Sequence, residues 1–297
     1  MNLIEPRNLF YHKTSVVYPP FKNGLYMEEY FCEKFIRENP STKRKYIPAF
    51  WTNFQIEDWF PFKKNRLQYS LDLWIKQNPS PNGYFTIVQH DDSVFLILPH
   101  NTIIYGACSG NIPLPLIYQD VSNTLENIHR KSFNDKKILC SFVGSITTNH
   151  VSPYVRQNMI QSLMNNPNFI LNVPGGWTNN VDKDKQNNFI VLTSNSKFAL
   201  APRGYGRSSF RFFEILQLGV IPIYIWNDVE WLPYKDDPEV VYSKFCISIN
   251  ISEINKLENI LLNITEDVYN NMISEYNKIK HKFSLDGMYN YIINQNT

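Results

Sequence analysis

The stretch from Leu200 to Tyr224 constrains the fold more than any other part of the chain. A short apolar run, residues 198–201, leads into a loop that holds Arg203, Gly204, Gly206 and Arg207. The loop opens onto residues 209–218, where Phe210, Phe212, Phe213, Ile215, Leu216 and Leu218 cover most of a helix's circumference. A helix that is apolar nearly all round has to be buried on most sides. Gly219 stands where a C′ glycine ends a helix, and residues 220–225 read as a buried strand despite Pro222. Upstream, residues 137–143 form another such strand. Ser152 and Pro153 predict a helix start with a cap and a proline at the first helical position, and residues 169–173 predict the next strand. Strand and helix in alternation predict a parallel sheet with helices on both faces.

Within the apolar helix, Arg211, Glu214 and Gln217 recur every three residues and lie along one stripe. Buried charge is costly without a partner, so the stripe either pairs internally or faces a polar ligand. The loop before it suits a diphosphate. A helix N-terminus offers unpaired N–H groups and partial positive charge, Gly204 and Gly206 let a ligand approach the backbone, and Arg203 and Arg207 add fixed charge. A carboxylate such as Glu214 can accept two hydrogen bonds from the vicinal hydroxyls of a ribose.

The 297 residues suit two domains, each of about 120–150 residues. The texture changes near residue 135, which predicts domains over 1–135 and 136–297 with the polar segment 123–135 as a link. In the first part, residues 84–88, 94–98 and 102–105 are short and strand-like, separated by polar turns such as 79–83. The tail carries two amphipathic helical patterns, 252–263 and 265–282. A net charge of +2 leaves no basic stripe for nucleic acid. The short basic runs at residues 43–45 and 63–66 read as solvated surface. The four cysteines form no paired metal or redox spacing, and Cys108 and Cys140 read as reduced core residues. The first twenty residues hold no apolar signal segment, and no apolar run approaches the roughly 18–20 residues of a membrane span. These features predict a soluble, cytoplasmic protein, and the Asn-, Ile- and Lys-rich composition fits an AT-rich viral or microbial genome. Asp182 and Asp184 have the spacing of a metal-binding pair, but they sit in a polar run, 179–188, that reads as a loop.

Pro202-Arg203-Gly204, Ser209-Phe210-Arg211-Phe212-Phe213-Glu214, Leu216-Gln217-Leu218-Gly219 and Ile221-Pro222-Ile223 follow one another within about 22 residues. This order resembles the exostosin family of glycosyltransferases, departing at Ile215, where the family usually has alanine. Residues 84–92, ending in His90-Asp91-Asp92, resemble the family's apolar strand that ends in His-Asp. Residues 112–115 resemble the segment that follows. Phe142-Val143-Gly144-Ser145 is similar to the turn that opens the family's second domain, and Arg156 matches a basic residue in the next helix. The resemblance covers roughly residues 80–235.

The resemblance implies a GT-B-like α/β fold, two Rossmann-like domains facing across a cleft, with the acceptor on the N-terminal side and the nucleotide sugar on the C-terminal side. The last helix, taken as 265–282, is expected to cross back to the first domain. Carried over by position, Gly144, Ser145, Arg156, Arg203, Gly204, Arg207, Ser208 and Ser209 surround the diphosphate, and Glu214 holds the ribose. The implied reaction is an inverting transfer from a UDP-sugar to a glycan hydroxyl, without a metal or other cofactor. Its base is expected at Asp91, with His90 and Asp92 as alternatives and Asp58 as a weaker one. The aromatic residues 50–54, with Trp59 and Trp74, either stack on acceptor sugars or form core. A catalytically inactive glycan- or nucleotide-binding protein of the same fold is the competing reading.

Overall fold

The computed structural model describes residues 2–146, 154–173, 175–176 and 178–297. The helix start predicted at Ser152 and Pro153 lies outside them. The chain divides into two compact units: Met1–Val17, Gly24–Gln119 and Lys282–Thr297 form one, Tyr18–Asn23 and Asp120–His281 the other.

The first unit contains helices α1 (Arg7–Phe10) and α2 (Met27–Glu38), strand β1 (Lys45–Tyr46), helices α3 (Trp51–Gln55) and α4 (Phe60–Gln77), and strands β2 (Tyr84–Val88), β3 (Thr102–Gly106) and β4 (Ile112–Pro113). The strands pair in the order β1-β2-β3-β4, all parallel. Every residue of β2 is buried, as expected for a strand covered on both faces. Its Thr86 hydroxyl accepts from the Trp51 indole at 2.7 Å and donates to the Ile47 carbonyl at 2.9 Å. Trp51, Phe54 and Trp74 pack with Phe10, Ile47 and Leu67 in the core. The aromatics of residues 50–54 are therefore core groups, not open platforms for sugars.

Residues 94–98 do not form the expected strand. Side-chain amides take the place of a neighbouring strand. The Phe95 amide donates to Gln55 Oε1 at 2.8 Å, and the Ile97 amide donates to Gln68 Oε1 at 2.7 Å. Leu96 turns into the core while Ile97 is exposed.

The second unit contains β5 (Ile138–Val143), α5 (Val155–Leu163), β6 (Phe169–Asn172), α6 (Lys183–Ser194), β7 (Ser196–Pro202), α7 (Phe210–Gln217), β8 (Ile221–Trp226), β9 (Ile247–Asn250), α8 (Leu257–Leu262) and α9 (Glu266–Ile279). The sheet is parallel throughout, in the order β6-β5-β7-β8-β9. Phe142, Phe198, Leu200, Ile221, Ile223 and Ile225 form its core with helix residues that include Met159 and Leu257. Pro222 fits in β8 even though it has no N–H to donate to the ladder. Residues 179–188 are not the expected loop. The Asp182 carboxylate caps α6 by accepting from the Lys185 amide at 2.8 Å, so Asp182 and Asp184 begin a helix.

Residues 120–135 belong to the second unit: Phe133 packs on Tyr269, and Arg130 donates to the Gln217 carbonyl at 3.3 Å. Gly219 has φ +68°, and a Cβ there would also strike the Arg130 side chain at 2.7 Å. Residues 265–279, expected as the returning helix, pack within the second unit, where Tyr269 meets Phe198. The chain re-enters the first unit one helix later, at α10 (Leu285–Asn296), whose Tyr289 lies on Phe31 of α2. No helix among the described residues is long and apolar enough to cross a membrane.

Candidate functional site

In the second sheet the strand order reverses between β5 and β7. Open parallel sheets bind ligands outside the carboxyl ends of the strands at such a reversal. Here β5 runs out into Gly144 and Ser145, and β7 runs out into Arg203 and Gly204. Arg156, on α5, ties the two ends. Its Nη1 donates to the Ser145 carbonyl at 2.7 Å, its Nε to the Arg203 carbonyl at 3.2 Å, and its Nη2 approaches the Pro202 carbonyl at 3.5 Å. Its guanidinium thus serves the backbone of the site. A Cβ on Gly144 would come within 3.0 Å of the Phe142 ring, so glycine lets the chain turn tightly over that ring.

Arg203 is buried at the end of β7. It donates to Asn227 Oδ1 at 3.0 Å, to the Tyr205 carbonyl at 2.9 Å, and to the Asp228 carboxylate. Its Nε is buried and has no hydrogen-bond partner among the described residues. Arg207 donates from Nε to the other Asp228 oxygen at 2.9 Å. The Tyr224 hydroxyl pins the Arg207 carbonyl at 2.6 Å, and Trp231 lies under the guanidinium at 5.5 Å. Burial pushes the Asp228 carboxyl up. Hydrogen bonds from the Val229 amide and Arg207, with the charge of Arg203, outweigh that and hold it at about 2. Two cations therefore share one anion at the mouth of the loop.

Sequence reasoning missed Asp228. Its signal was position, because Trp226-Asn227-Asp228 follows directly on β8 and so lies at the same end of the sheet as the Arg-Gly loop.

The loop enters α7 through buried Ser208 and Ser209, and the Ser209 hydroxyl caps the helix by accepting from the Arg211 amide at 3.3 Å. Phe212, Phe213, Ile215 and Leu216 are all buried, an apolar contribution of about 1.5–3 kcal/mol each. That contribution carries Glu214 inward, with only 3% of its side chain exposed. Arg211 Nη1 meets Glu214 Oε2 at 2.8 Å, and the Arg211 guanidinium stacks on Phe189 at 3.5 Å. Of the two alternatives for the stripe, the internal pair is present.

The other predicted residues lie in the first unit, just past β2. Asp91 and Asp92 are exposed and His90 is half-buried. The Asp92 amide donates to His90 Nδ1 at 3.1 Å, and the ring packs edge-on against Phe95. Desolvation lowers the His90 pKa against the opposing charges of Asp91 and Asp92. Among the described residues, His90 Nδ1 is occupied by a backbone donor. Asp58 is exposed after α3, and Trp59 is half-buried beside it.

The second unit is thus an open parallel α/β sheet whose switch point carries two arginines, a glycine-bearing loop and a capped helix start. The sequence profile of the exostosin GT47 domain matches residues 96–264, more than half of the chain, and the chain belongs to this family of glycosyltransferases. The match takes in the whole switch-point site and stops short of His90, Asp91 and Asp92. A curated protein of Arabidopsis thaliana, "Probable glycosyltransferase At3g07620", is 28% identical over 92 residues, which are 31% of this chain and 19% of the plant protein. The aligned part thus spans about a fifth of that relative. Among solved structures, that of TarM aligns with 77% of this chain and 58% of its own, at 11% identity and a TM-score of 0.36, too slight a likeness to bear on the site.

Proposed function

We propose that the chain is an inverting glycosyltransferase that moves a sugar from a nucleotide diphosphate sugar to a hydroxyl of a glycan acceptor. The donor class is a UDP-sugar such as UDP-xylose, UDP-galactose or UDP-glucuronate. The observation that carries this reading is the meeting of Arg203, Arg207 and the capped start of α7 at the switch point of the second sheet. The diphosphate lies against Arg203, Arg207 and the Ser208–Ser209 backbone, bordered by Gly144, Ser145 and Gly204. Arg156 holds the strand ends that carry these groups, and Glu214 receives ribose hydroxyls.

As the anomeric C–O bond breaks, negative charge grows on the leaving diphosphate, where the guanidinium groups stabilise it. The acceptor oxygen attacks the anomeric carbon from the opposite face, and its proton passes to the Asp91 carboxylate. His90 and Asp92 are the alternative bases. Because arginines supply the positive charge, turnover is expected without added divalent metal.

The test is a thermal-shift and calorimetric screen of uridine and guanosine diphosphate sugars, first without metal and then with Mn²⁺. Stabilisation by a uridine diphosphate sugar without metal supports the reading. No stabilisation of the folded protein by any nucleotide sugar sinks it.

The ionic pairings favour a second reading, in which Arg203, Asp228, Arg207, Arg211 and Glu214 serve mainly the fold and the protein binds glycan or nucleotide without turnover. Nucleotide affinity with no transfer and no donor hydrolysis would mark that case.

A further inference from the structure

Within the turn after β2 the His90 ring accepts from the Asp92 amide, and the Ser109 hydroxyl donates to the His90 carbonyl at 3.4 Å. Gln89 is buried, yet its Oε1 has no hydrogen-bond partner among the described residues, and neither does the buried Ser93 hydroxyl. Buried polar atoms left in this state carry a cost, so the turn needs restraint from elsewhere. Two side chains, from α2 and α3, add to it. Glu28, on α2, accepts at Oε1 from the Gln89 amide at 2.7 Å. Gln55, the last residue of α3, donates to the Ser93 carbonyl at 2.9 Å and accepts from the Phe95 amide at 2.8 Å.

The two restraints are linked. The same Glu28 carboxylate accepts from the Thr52 hydroxyl at 2.6 Å and the Thr52 amide at 2.9 Å, near the start of α3. One buried acid therefore fixes the entry of the turn directly, and its exit through the helix that carries Gln55. Its neighbour Glu29 does not share the task. Glu29 accepts from Asn53 at 2.7 Å and from its own helix's cap amide at 3.2 Å. Among the described residues the hydrogen-bond partners of Glu28 are two amides and a hydroxyl. When ionised, the Glu28 side chain accepts all three of these hydrogen bonds.

We propose that Glu28 is the positioning residue of the acceptor-side turn, clamping β2, α3 and, through Gln55, the segment after Ser93, so that His90, Asp91 and Asp92 are held in place for proton transfer. The inference rests on the reading of that turn as the seat of the base. Glu28 touches no substrate in this scheme. In Glu28→Gln the side chain keeps its shape, but one acceptor oxygen becomes an N–H₂ donor and meets a donor it cannot bond. Gln55→Met releases the exit alone.

The experiment compares the intact protein with Glu28→Gln, Gln55→Met and Asp91→Asn. It reads amide hydrogen exchange over residues 89–95, calorimetric binding of UDP, and hydrolysis of the UDP-sugar that the donor screen selects. For Glu28→Gln the expected result is exchange at least tenfold faster in the turn, hydrolysis at least tenfold slower with kcat falling more than KM changes, and UDP affinity within twofold of the parent. Gln55→Met should speed exchange at residues 93–95 and leave the amide of Gln89 protected. Unchanged exchange in Glu28→Gln overturns the clamp. Faster exchange with undiminished hydrolysis reduces Glu28 to a fold residue and also overturns the proposal. If Asp91→Asn hydrolyses donor at the parental rate, the assignment of Asp91 fails by itself, whatever the exchange data say about Glu28.

Discussion

Arg203 and Asp228 form an ion pair across the carboxyl ends of β7 and β8, a buried guanidinium against a carboxylate that remains partly open to solvent. Asp228 also holds Arg207 through its second oxygen. The pair sits where the proposed diphosphate would lie, so Asp228 is an internal competitor for both cations. Since its carboxyl is held at about 2, it stays ionised at any working pH. Its stabilising effect is present above the ordinary value of 3.8 and is lost only as pH falls through about 2.

Asp228→Asn should therefore bind UDP more tightly. Arg203 keeps its bonds to Asn227 Oδ1 and the Tyr205 carbonyl, so its position survives the change. The Arg207–Asp228 pair is open to solvent on both sides and worth up to about 1 kcal/mol, which sets the expected gain at roughly fivefold. Calorimetric titration with UDP decides the matter. Weaker binding would mean that Asp228 orients the arginines for the ligand instead of competing with it.

Glu214→Gln separates the ribose role from the internal pair. The isosteric amide can still accept from Arg211, so the expected cost is about 1–3 kcal/mol of stability in urea denaturation. UDP affinity should fall at least tenfold, since an amide cannot accept two ribose hydroxyls as a carboxylate does. Lower stability with unchanged UDP affinity would leave Glu214 as a partner of Arg211 and nothing more.

Much of the second unit was legible because its signals are local. Ser209, the apolar positions of α7 and Gly219 lie within eleven residues of one another and specify cap, buried helix and stop. Asp228 was not legible, because its meeting with Arg203, 25 residues earlier, depends on the register of β7 against β8. The first half of helix α6, residues 183–188, looks like loop because it is polar. The informative signals were Asp182 as cap and the buried Phe189 and Thr193, four residues apart. Residues 94–98 misled in the opposite direction. Five apolar residues suggest a strand, but glutamine amides from α3 and α4 had already taken the backbone hydrogen bonds of Phe95 and Ile97. The Glu28 clamp brings together α2, α3 and the end of β2, and residues 61 positions apart give no local sign of that.

Arg156→Met should weaken fold and ligand binding together. Its guanidinium serves carbonyls at the ends of both β5 and β7, and removing it leaves those acceptors without their donor. We expect a loss of about 1–3 kcal/mol in urea denaturation and a parallel fall in UDP affinity. Arg156→Lys should not rescue either property, because a single ammonium cannot reproduce the planar fork that reaches both strand ends. Full rescue by lysine would show that charge, and not bracing, is what the site needs from this position.

Glu28 makes stability depend on pH in an unusual direction for an acid. Desolvation by complete burial raises its carboxyl from 4.5 to about 7, although hydrogen bonds from Thr52 and Gln89 oppose the shift. Between those two values the folded chain holds a proton that the unfolded chain has released. The stabilising effect is therefore full below about 4.5 and is lost as pH rises through about 7. The size is on the order of 3 kcal/mol at most. Urea denaturation at pH 5, 6, 7 and 8 should show stability falling across this range. Glu28→Gln, which has no proton to lose, should remove this component of the slope. A slope that is the same in both proteins would place the titration elsewhere and show that Glu28 keeps an ordinary carboxyl despite its burial.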